Sequence, residues 1–226
     1  MAEKCHIACL PKPLRRRQVK HRPHVLITAG PTREYIDTVR FITNASSGIM
    51  AREIAAVFLK KKYEIRIISG PVSVKFPGGS RVIPVLTASE MYEKVKDNFK
   101  WADILFFAAA PCDWTPLLCS PVKIRKKERG KLCLKSTVDI AKRVSRGKSF
   151  RTAVGFALED DLDVPSALKK KADKNFDFIV LNRRDAISNT ETTGFILGDE
   201  TALMFNEISK KDLAEILWEV VCKGKN

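Results

Sequence analysis

The sequence predicts an α/β protein with a three-layer, Rossmann-like fold, in which a mostly parallel sheet carries helices on both faces. Apolar runs with the character of strands alternate with helix patterns along most of the chain. This alternation favours parallel strands joined by right-handed crossovers. The run at 103–108 is almost entirely apolar, as expected for a strand covered on both faces. Polar or glycine-containing segments follow several runs directly, which is typical of the ligand-binding edge of such a sheet.

The strands are predicted from short apolar or alternating runs that end at turn residues. The first, 25–28, ends at Gly30-Pro31, and the second, 63–69, ends at Gly70-Pro71. A separate apolar patch lies at 39–42. The remaining predicted strands are 81–86, 103–108, 131–135, 151–157 and 177–182, followed by a C-terminal hairpin of 193–197 and 201–205.

The helices are predicted from apolar residues that recur every three or four positions. The polar cluster 43–48 precedes the first helix, 49–59, and Met91 and Val95 share one face of the second helix, 87–100. The other predicted helices are 137–146, 165–175 and 209–223.

The formal net charge of +15 is concentrated in two stretches. Residues 1–23 hold seven Lys and Arg against one Glu, and residues 120–151 hold twelve against two acidic residues. We predict that 1–23 is a basic, disordered extension and that 24–226 forms a single domain. The stretch 120–135 is predicted to form a mobile arm, or flap, over the substrates.

The chain is predicted to be cytoplasmic and to have no membrane partner. No apolar run approaches the length of a membrane-spanning helix, and no secretory signal is evident. The six cysteines form no CxxC pair, which favours free thiols in a reducing compartment.

Four polar segments directly follow predicted strands, at 30–33, 108–113, 156–160 and 182–184. Because the carboxyl ends of parallel strands meet at one edge of the sheet, these segments are expected to gather there. The helix that starts at 49 adds free backbone N–H groups and a positive dipole end, which together suit an anion. The sequence therefore predicts a site for anionic substrates at this edge.

Several kinds of chemistry are disfavoured at this edge. It lacks the GxGxxG fingerprint of dinucleotide-binding folds and the GxxxxGK[ST] motif of P-loop proteins. The three histidines, His6, His21 and His24, lie in or beside the basic extension, which argues against histidine acid–base catalysis. The remaining Asn, Asp, Lys and Arg suit phosphoryl or nucleotidyl transfer, where positioning and charge stabilisation dominate.

Two other classes of function stay open from the residues alone. A nucleotide- or nucleic-acid-binding module without ligase activity would use the basic stretches, and nucleic-acid binding would weaken steeply with salt. Neither stretch shows the interleaved aromatic residues of RNA-binding modules, so nucleic acid is not an expected partner. An NAD(P) oxidoreductase on the same fold is disfavoured by the missing glycine fingerprint.

Four longer motifs occur in order along the chain. They are ITAGPTREYIDTVRFITNASSG at 27–48, AAAPCDWTP at 108–116 with KIRKK at 123–127, AVGFALED at 153–160, and KKKADKNFDFIVLN at 169–182. Together they resemble the successive motifs of phosphopantothenoylcysteine synthetase, over about residues 24–222. The resemblance implies a ligase of coenzyme A biosynthesis that joins 4′-phosphopantothenate to L-cysteine.

In that family a nucleoside triphosphate activates the carboxylate as an acyl nucleotide, pyrophosphate leaves, and the cysteine amine then attacks. CTP serves most bacterial members and ATP the eukaryotic ones, so the resemblance implies CTP, with ATP as the alternative. Mg²⁺ is implied because carboxylate attack on a triphosphate brings negative charges together. The family is dimeric, so a homodimer with 38–42 and the arm near the subunit contact is expected.

The resemblance assigns two catalytic residues and three further substrate-binding residues. Asn44 matches the Asn of the ITN-SSG motif, which positions the phosphopantothenoyl group; the residues alone favour an N-cap of the next helix instead. Lys123 matches the lysine that stabilises charge in the nucleotidyl step, and its alternative is a solvated lysine in a charge run. Arg40 is matched to an arginine for a substrate phosphate, in the same or the partner subunit. Ala109 and Ala110 offer backbone groups to the substrate, or ordinary tight packing.

The implied nucleotide contacts come from five places in the sequence. Asp113 matches the Asp of the family's AAAVADYRP segment, as a contact to the ribose or to the metal, and Phe156 matches a phenylalanine that stacks on the base. Their alternatives are a turn aspartate and a core aromatic. The other implied nucleotide contacts are Lys123, in its role of stabilising charge, and the turn of Val138, Asp139, Ile140 and Ala141. Lys170 and Lys174 match two triphosphate-binding lysines, for which a solvated helix face is the alternative.

Departures from the family pattern concern the nucleotide and the arm. Pro111-Cys112 replaces Val-Ala, and Trp114 replaces Tyr or Phe, while Ile49 and Ala51 stand where Lys and Gly are common. These changes leave the nucleotide preference open. Asn44, Asp113 and Lys123 are all retained, so an active enzyme is expected.

Overall fold

The computed structural model of the 226-residue chain describes residues 22–126, 131–147, 151–184 and 191–223. Most of the predicted basic extension and residues 127–130 of the predicted arm lie outside the described residues. The strands are β1 (His24–Ala29), β2 (Arg33–Tyr35), β3 (Phe41–Thr43), β4 (Glu64–Ser69), β5 (Ser80–Pro84), β6 (Ile104–Phe107), β7 (Trp114–Pro116), β8 (Leu134–Ser136), β9 (Thr152–Glu159), β10 (Phe178–Arg183), β11 (Glu191–Leu197) and β12 (Ala202–Ser209). The helices are α1 (Ile49–Lys60), α2 (Ala88–Phe99), α3 (Ile140–Ser145), α4 (Val164–Asp173) and α5 (Lys210–Trp218).

Eight strands form one sheet in the order β12-β11-β10-β9-β6-β1-β4-β5. The six strands from β10 to β5 are parallel, and β11 and β12 add an antiparallel edge. The chain starts at β1, winds out to β4 and β5, and then returns to the other side of β1 at β6. Ligands of such sheets bind where the winding direction reverses, beyond the carboxyl ends of the strands.

Different helices cover the two faces of the sheet. Val25 and Ile27 of β1 belong to a core shared with α1 and α5. Leu26, between them, points to the opposite core, which is shared with α2, α3 and α4, because successive side chains in a strand face opposite sides. All three residues are at most 1% exposed. The predicted three-layer α/β fold with a C-terminal hairpin is therefore confirmed.

Several predicted boundaries were wrong because tertiary contacts decide where short elements form. The apolar patch at 39–42 is part of a small hairpin in which β3 pairs with β2. No strand was predicted near residue 115, but Trp114–Pro116 forms β7, which pairs with β8. The strand predicted at 131–135 forms at Leu134–Ser136. A three-residue strand carries too little periodicity to be seen in sequence, since its stability comes from its partner.

Two helix predictions also differ from the structure. The helix predicted at 137–146 begins only at Ile140, because Asp139 caps it by accepting a hydrogen bond from the Lys142 amide at 3.0 Å. The helix predicted at 209–223 is α-helical to Trp218 and continues as wider turns over Glu219–Lys223. Within the described ranges, no helix has the length and apolar character needed to cross a bilayer.

Candidate active site

A cavity of about 490 Å³ opens at the carboxyl ends of the central strands. It lies beyond β1, β6, β9 and β10, and the start of α1 closes one side. Eleven residues predicted from the sequence line it together. They are Asn44, Ala109, Ala110, Asp113, Val138, Asp139, Ile140, Ala141, Phe156, Lys170 and Lys174. Three of the four polar segments that follow strands, those at 108–113, 156–160 and 182–184, therefore contribute to this cavity, whereas the segment at 30–33 does not line it.

Asn44 links two loops at the mouth of the cavity. Its side-chain nitrogen donates hydrogen bonds to the carbonyl oxygens of Ala110 at 3.2 Å and Pro111 at 3.0 Å. The alternative that Asn44 caps the next helix is wrong, since the N-cap of α1 is Gly48. The loop that carries Asn44 is thus held against the loop that follows β6.

The N-terminus of α1 faces the cavity without a side-chain cap. Gly48 occupies the N-cap position in the left-handed region, at φ 77°, where a side chain would be strained. The first turn of α1 holds no acidic residue, and Ser46, Ser47 and Ile49 line the cavity beside it. The Ile49 amide donates to the Ser47 hydroxyl at 3.4 Å. The positive end of the helix dipole and the remaining amides of the first turn therefore lie at the cavity.

Threonines fix the loop between β6 and β7. The Thr28 hydroxyl accepts a hydrogen bond from the Ala109 amide at 3.2 Å, and the Thr32 hydroxyl accepts one from the Cys112 amide at 2.9 Å. The Thr137 hydroxyl donates to the Cys112 carbonyl at 2.6 Å. These hydrogen bonds hold the loop in place. Ala109 and Ala110 line the cavity there, and their small side chains leave room for a ligand.

Cys112, one of the departures from the family pattern, is buried in this wall. Its thiol lies 3.5 Å from the Thr32 carbonyl oxygen. Burial raises the pKa of the Cys112 thiol, only partly opposed by its hydrogen bond to Thr32. The thiol is therefore protonated at neutral pH and acts as a packing residue.

Lys170 and Lys174 bring positive charge to the opposite wall. Lys174 forms an ion pair of 3.1 Å with Asp139, the residue that also caps α3. Burial lowers the pKa of Lys170, and the neighbouring charge of Lys174 lowers it further, while Glu159, Asp113 and Asp139 oppose the shift. A bound anion would favour the charged form of Lys170, so this wall suits phosphate.

Lys123 and Arg40 lie together outside the cavity. They line a separate, open groove with Ile124, Arg125 and Lys126. In this arrangement the two residues do not reach the other predicted site residues, although both belong to the same matched motifs. The sequence showed no sign of this separation, because it depends on how the arm lies on the hairpin of β2 and β3.

Asp37 fixes the arm to that hairpin. Its carboxylate, which is fully buried, accepts hydrogen bonds from the amides of Val39 and Arg40, both at 2.8 Å, and of Ile124 at 3.1 Å. The Arg40 side chain lies 3.2 Å from the same carboxylate and donates to the Ile124 carbonyl oxygen. One buried acid thus holds both Arg40 and the segment next to Lys123.

Replacing Asp37 with asparagine is expected to destabilise the protein above about pH 4 and to matter less in acid. Burial opposes ionisation, but the three amides and the Arg40 charge outweigh it and hold the pKa of Asp37 below its ordinary value of 3.8. Because the folded pKa is below the unfolded one, this stabilisation is present above pH 3.8 and is lost as the pH falls through the folded pKa.

The measurement is the urea midpoint of the wild type and of Asp37→Asn between pH 7 and pH 2. The difference should shrink below pH 3.8. Asp97→Asn removes an exposed carboxylate and should show little difference throughout. A difference for Asp37→Asn that is equally large at pH 2 would contradict the role of its charge.

The donor set fits a magnesium ion only when a substrate supplies ligands. Among the described residues no group of three or more His, Cys, Asp or Glu side chains is placed to hold a metal. Asp113 is exposed at the cavity. Mg²⁺ commonly binds through one or two carboxylates together with substrate phosphates, and Asp113 can supply the first of these.

The sequence reasoning missed Lys210 at the far wall. This residue begins α5 and lines the cavity beside Leu213, Asn182 and Thr192. Asn182 belongs to a segment that was predicted to face the site, but Lys210 follows an edge strand at the end of the chain. The only sequence feature at Lys210 is a Ser-Lys pair at the start of a helix. This pair is too common in proteins to predict a binding residue.

Comparisons with known proteins show the family of the chain. The chain matches the family described as the DNA/pantothenate metabolism flavoprotein C-terminal domain over residues 20–224. It is 38% identical over 216 residues to the coenzyme A biosynthesis bifunctional protein CoaBC of Bacillus subtilis (strain 168), covering 89% of this chain and 52% of that protein. The Escherichia coli (strain K12) protein of the same name is 36% identical over 164 residues, covering 70% and 40%. The chain therefore spans about half the length, or less, of these two relatives.

Solved structures show the same fold. The crystal structure of the C-terminal domain of CoaBC superposes with a TM-score of 0.76 at 31% identity, covering 88% of this chain and 93% of that one. A Cab2 mutant in complex with phosphopantothenate-cysteine has a TM-score of 0.71 at 18% identity, covering 89% and 86%. With a family match over nearly the whole chain, the protein belongs to the DNA/pantothenate metabolism flavoprotein C-terminal domain family.

Proposed function

We propose that the protein is a phosphopantothenate–cysteine ligase of coenzyme A biosynthesis, using CTP, with ATP as the alternative nucleotide. The observation that carries this proposal is one cavity that joins the Asn44-linked loops, the uncapped start of α1 and the Lys170–Lys174 wall. Such a cavity suits two anionic substrates held side by side. The named relatives, whose C-terminal portion this chain resembles, support the same assignment.

In this proposal each wall of the cavity has its own task. Asn44, Ala109 and Ala110 orient the carboxylate of 4′-phosphopantothenate toward the α-phosphate of the nucleotide. The carboxylate attacks this phosphate, an acyl nucleotide forms, and pyrophosphate is released. The cysteine amine attacks that anhydride and releases the nucleoside monophosphate. Splitting the amide synthesis in this way replaces one difficult step with two easier ones.

The nucleotide is placed at the other side of the cavity. Phe156, which is partly buried and lines the cavity, stacks on the base, and the turn from Val138 to Ala141 contacts the nucleotide. Lys170 and Lys174 bind the triphosphate. A magnesium ion held by Asp113 and the phosphates would neutralise charge as the carboxylate approaches.

In this proposal Lys123 and Arg40 reach the substrates in one of two ways. Either the arm moves over the cavity, or the two residues act on the cavity of a second subunit. They lie together on the surface formed by the arm and the β2–β3 hairpin. The hairpin and the arm also carry exposed apolar residues, among them Val39 and Val122. We therefore place the contact of a homodimer here, with the arm closing over the substrates when they bind.

The test of the function is pyrophosphate release by the purified protein. Release should require 4′-phosphopantothenate and a nucleoside triphosphate, and CTP should support a higher kcat/KM than ATP. Phosphopantothenoylcysteine should form only when L-cysteine is added. Nucleotide binding without pyrophosphate release from either nucleotide would instead favour a binding module without ligase activity.

Replacing Lys123 with glutamine is expected to lower kcat by about 10²-fold or more with little change in stability. An ammonium group that meets charge developing on a transferring phosphate acts mainly in the transition state, and the exposed position of the residue makes its loss harmless to folding. Turnover with CTP and the thermal midpoint would be measured for both proteins.

Lys131→Gln is the matched control, because it removes the same charge from another exposed position on the arm. It should keep turnover within a few-fold of wild type. Limited proteolysis of the wild type should show slower cleavage of 120–135 when CTP is bound. Wild-type kcat in Lys123→Gln, or equal cleavage with and without CTP, would refute the role given to the arm.

A further inference from the structure

One buried lysine in the cavity, Lys210, has no partner among the residues that the structure describes. Lys210 is only 9% exposed, yet across the described ranges no hydrogen bond or ion pair involves its ammonium group. Lys171, which is also buried, is by contrast paired with Asp199. A buried cation without a partner is costly, so this group calls for an explanation.

The position of Lys210 in its helix adds to that cost. It is the first residue of α5, where the helix dipole is positive and a cation is disfavoured. The cap of this helix is already supplied by the Ser209 hydroxyl, which accepts a hydrogen bond from the Asp212 amide at 3.1 Å. Lys210 therefore has no capping role, and burial lowers the pKa of its ammonium group.

Lys210 faces the same cavity as the lysines of α4, but from the other side of the sheet. The helix that carries it packs with α1 on one face, whereas α4, with Lys170, lies on the opposite face. Asn182, at the end of β10, lines the cavity with both groups of lysines. A bound anion that crosses the edge of the sheet would thus meet positive charge on both sides.

The start of α1 supplies the second half of this arrangement. Gly48, Ile49 and Met50 line the cavity, and their helix lies against α5. The Ile49 amide already donates to the Ser47 hydroxyl at 3.4 Å. The amides of Met50 and Ala51 and the Lys210 ammonium group are complementary to one anionic group, because all of them donate hydrogen bonds and both the helix end and the lysine carry positive charge.

We infer that Lys210 and the first turn of α1 form a phosphate-binding subsite, separate from the Lys170–Lys174 wall. The phosphate group comes from one of two sources, the polyphosphate chain of the nucleotide or the phosphomonoester of 4′-phosphopantothenate. Only the naming of these two sources rests on the proposed function. Occupation of the subsite supplies the anion that the buried lysine lacks.

Binding measured by calorimetry tests this inference without requiring catalysis. The probes are inorganic tripolyphosphate, Mg-CTP and 4′-phosphopantothenate, each titrated into wild type, Lys210→Met, Lys210→Arg and Lys211→Met. Lys210→Met should weaken at least one probe about tenfold or more, as expected for loss of a charged hydrogen bond. Lys210→Arg should retain much of that affinity.

The matched control is Lys211→Met, which removes the same charge from the next, exposed position of α5; its affinities should stay within about twofold of wild type. If Lys210→Met loses affinity only for tripolyphosphate and Mg-CTP, the subsite binds the polyphosphate chain of the nucleotide. If it loses affinity only for 4′-phosphopantothenate, the subsite binds the phosphomonoester of that substrate.

Thermal unfolding without ligand separates a binding role from a structural one. Methionine fills a similar volume without a buried charge, so Lys210→Met should raise Tm by about 2–4 °C. A lower Tm, unchanged affinity for all three probes, or no binding of any probe by wild type would each overturn the inference. If wild type binds through Lys210 but releases no pyrophosphate, the subsite stands and the proposed ligase function fails.

Discussion

Replacing Asn44 with aspartate is expected to lower ligase turnover by about 10²–10³-fold while the protein stays folded, the loss typical when a positioning donor is removed from a charged transition state. The Asn44 amide holds two carbonyl oxygens, those of Ala110 and Pro111, at 3.2 and 3.0 Å. A carboxylate would repel both oxygens and would add negative charge where two anionic substrates must meet.

The measurement is kcat and KM with CTP, together with the thermal midpoint. Asn206→Asp is the matched control, since it introduces the same charge on an exposed residue of β12 that does not line the cavity. Its kcat should remain near that of wild type. A wild-type kcat in Asn44→Asp would show that this side chain only joins two loops.

A methyl group at Gly70 is expected to destabilise the fold by about 3 kcal/mol or more, the upper range for overpacking in a rigid site. A Cβ built there would lie 1.6 Å from the Pro31 carbonyl oxygen, a backbone atom that cannot rotate away. Gly70 is buried, and its amide donates to the Ala29 carbonyl at 2.9 Å. The Tm of Gly70→Ala should therefore fall by about 6–12 °C.

Gly78→Ala provides the control, because a Cβ at that exposed glycine would meet nothing within 4 Å. It should be neutral or slightly stabilising, since alanine restricts the unfolded chain. Urea unfolding of both variants measures the difference. Equal stabilities for Gly70→Ala and wild type would mean that Pro31 and its neighbours shift easily.

The close approach of the Gly70 and Pro31 backbones also helps to position the loop that carries Ala110. Pro31 forms a bridge with Ala110, and the Ala110 amide donates to the Gly30 carbonyl at 2.9 Å. A backbone shift at Pro31 would therefore reach the loop that Asn44 holds. Any Gly70→Ala protein that folds is expected to bind nucleotide or substrate less tightly than wild type.

The long elements of the fold could be predicted from local patterns. Buried strands such as β1 and β6 have continuous apolar runs, and α2 shows a single apolar face with Thr87 as its cap. These features depend on residues only a few positions apart, so periodicity reveals them. The same patterns placed the polar segments at the carboxyl ends of strands and hence at one edge of the sheet.

Local patterns could not predict the short hairpins or the position of the arm. The strands β2, β3, β7 and β8 have three residues each, and each is stabilised by a partner elsewhere in the chain. Asp37 lies 87 residues from Ile124, whose amide it binds. No periodicity within either segment reports a contact over that distance.

By itself the sequence determined the α/β class, the layered sheet, the matched motifs and the residues that follow its strands. Only the tertiary structure decided that Asn44 joins two loops rather than capping a helix, that Lys123 and Arg40 lie apart from the cavity, and that Lys210 lies within it. The reason is physical. Element type follows from burial along a few turns of chain, whereas the partner of a side chain is set by which distant elements pack beside it.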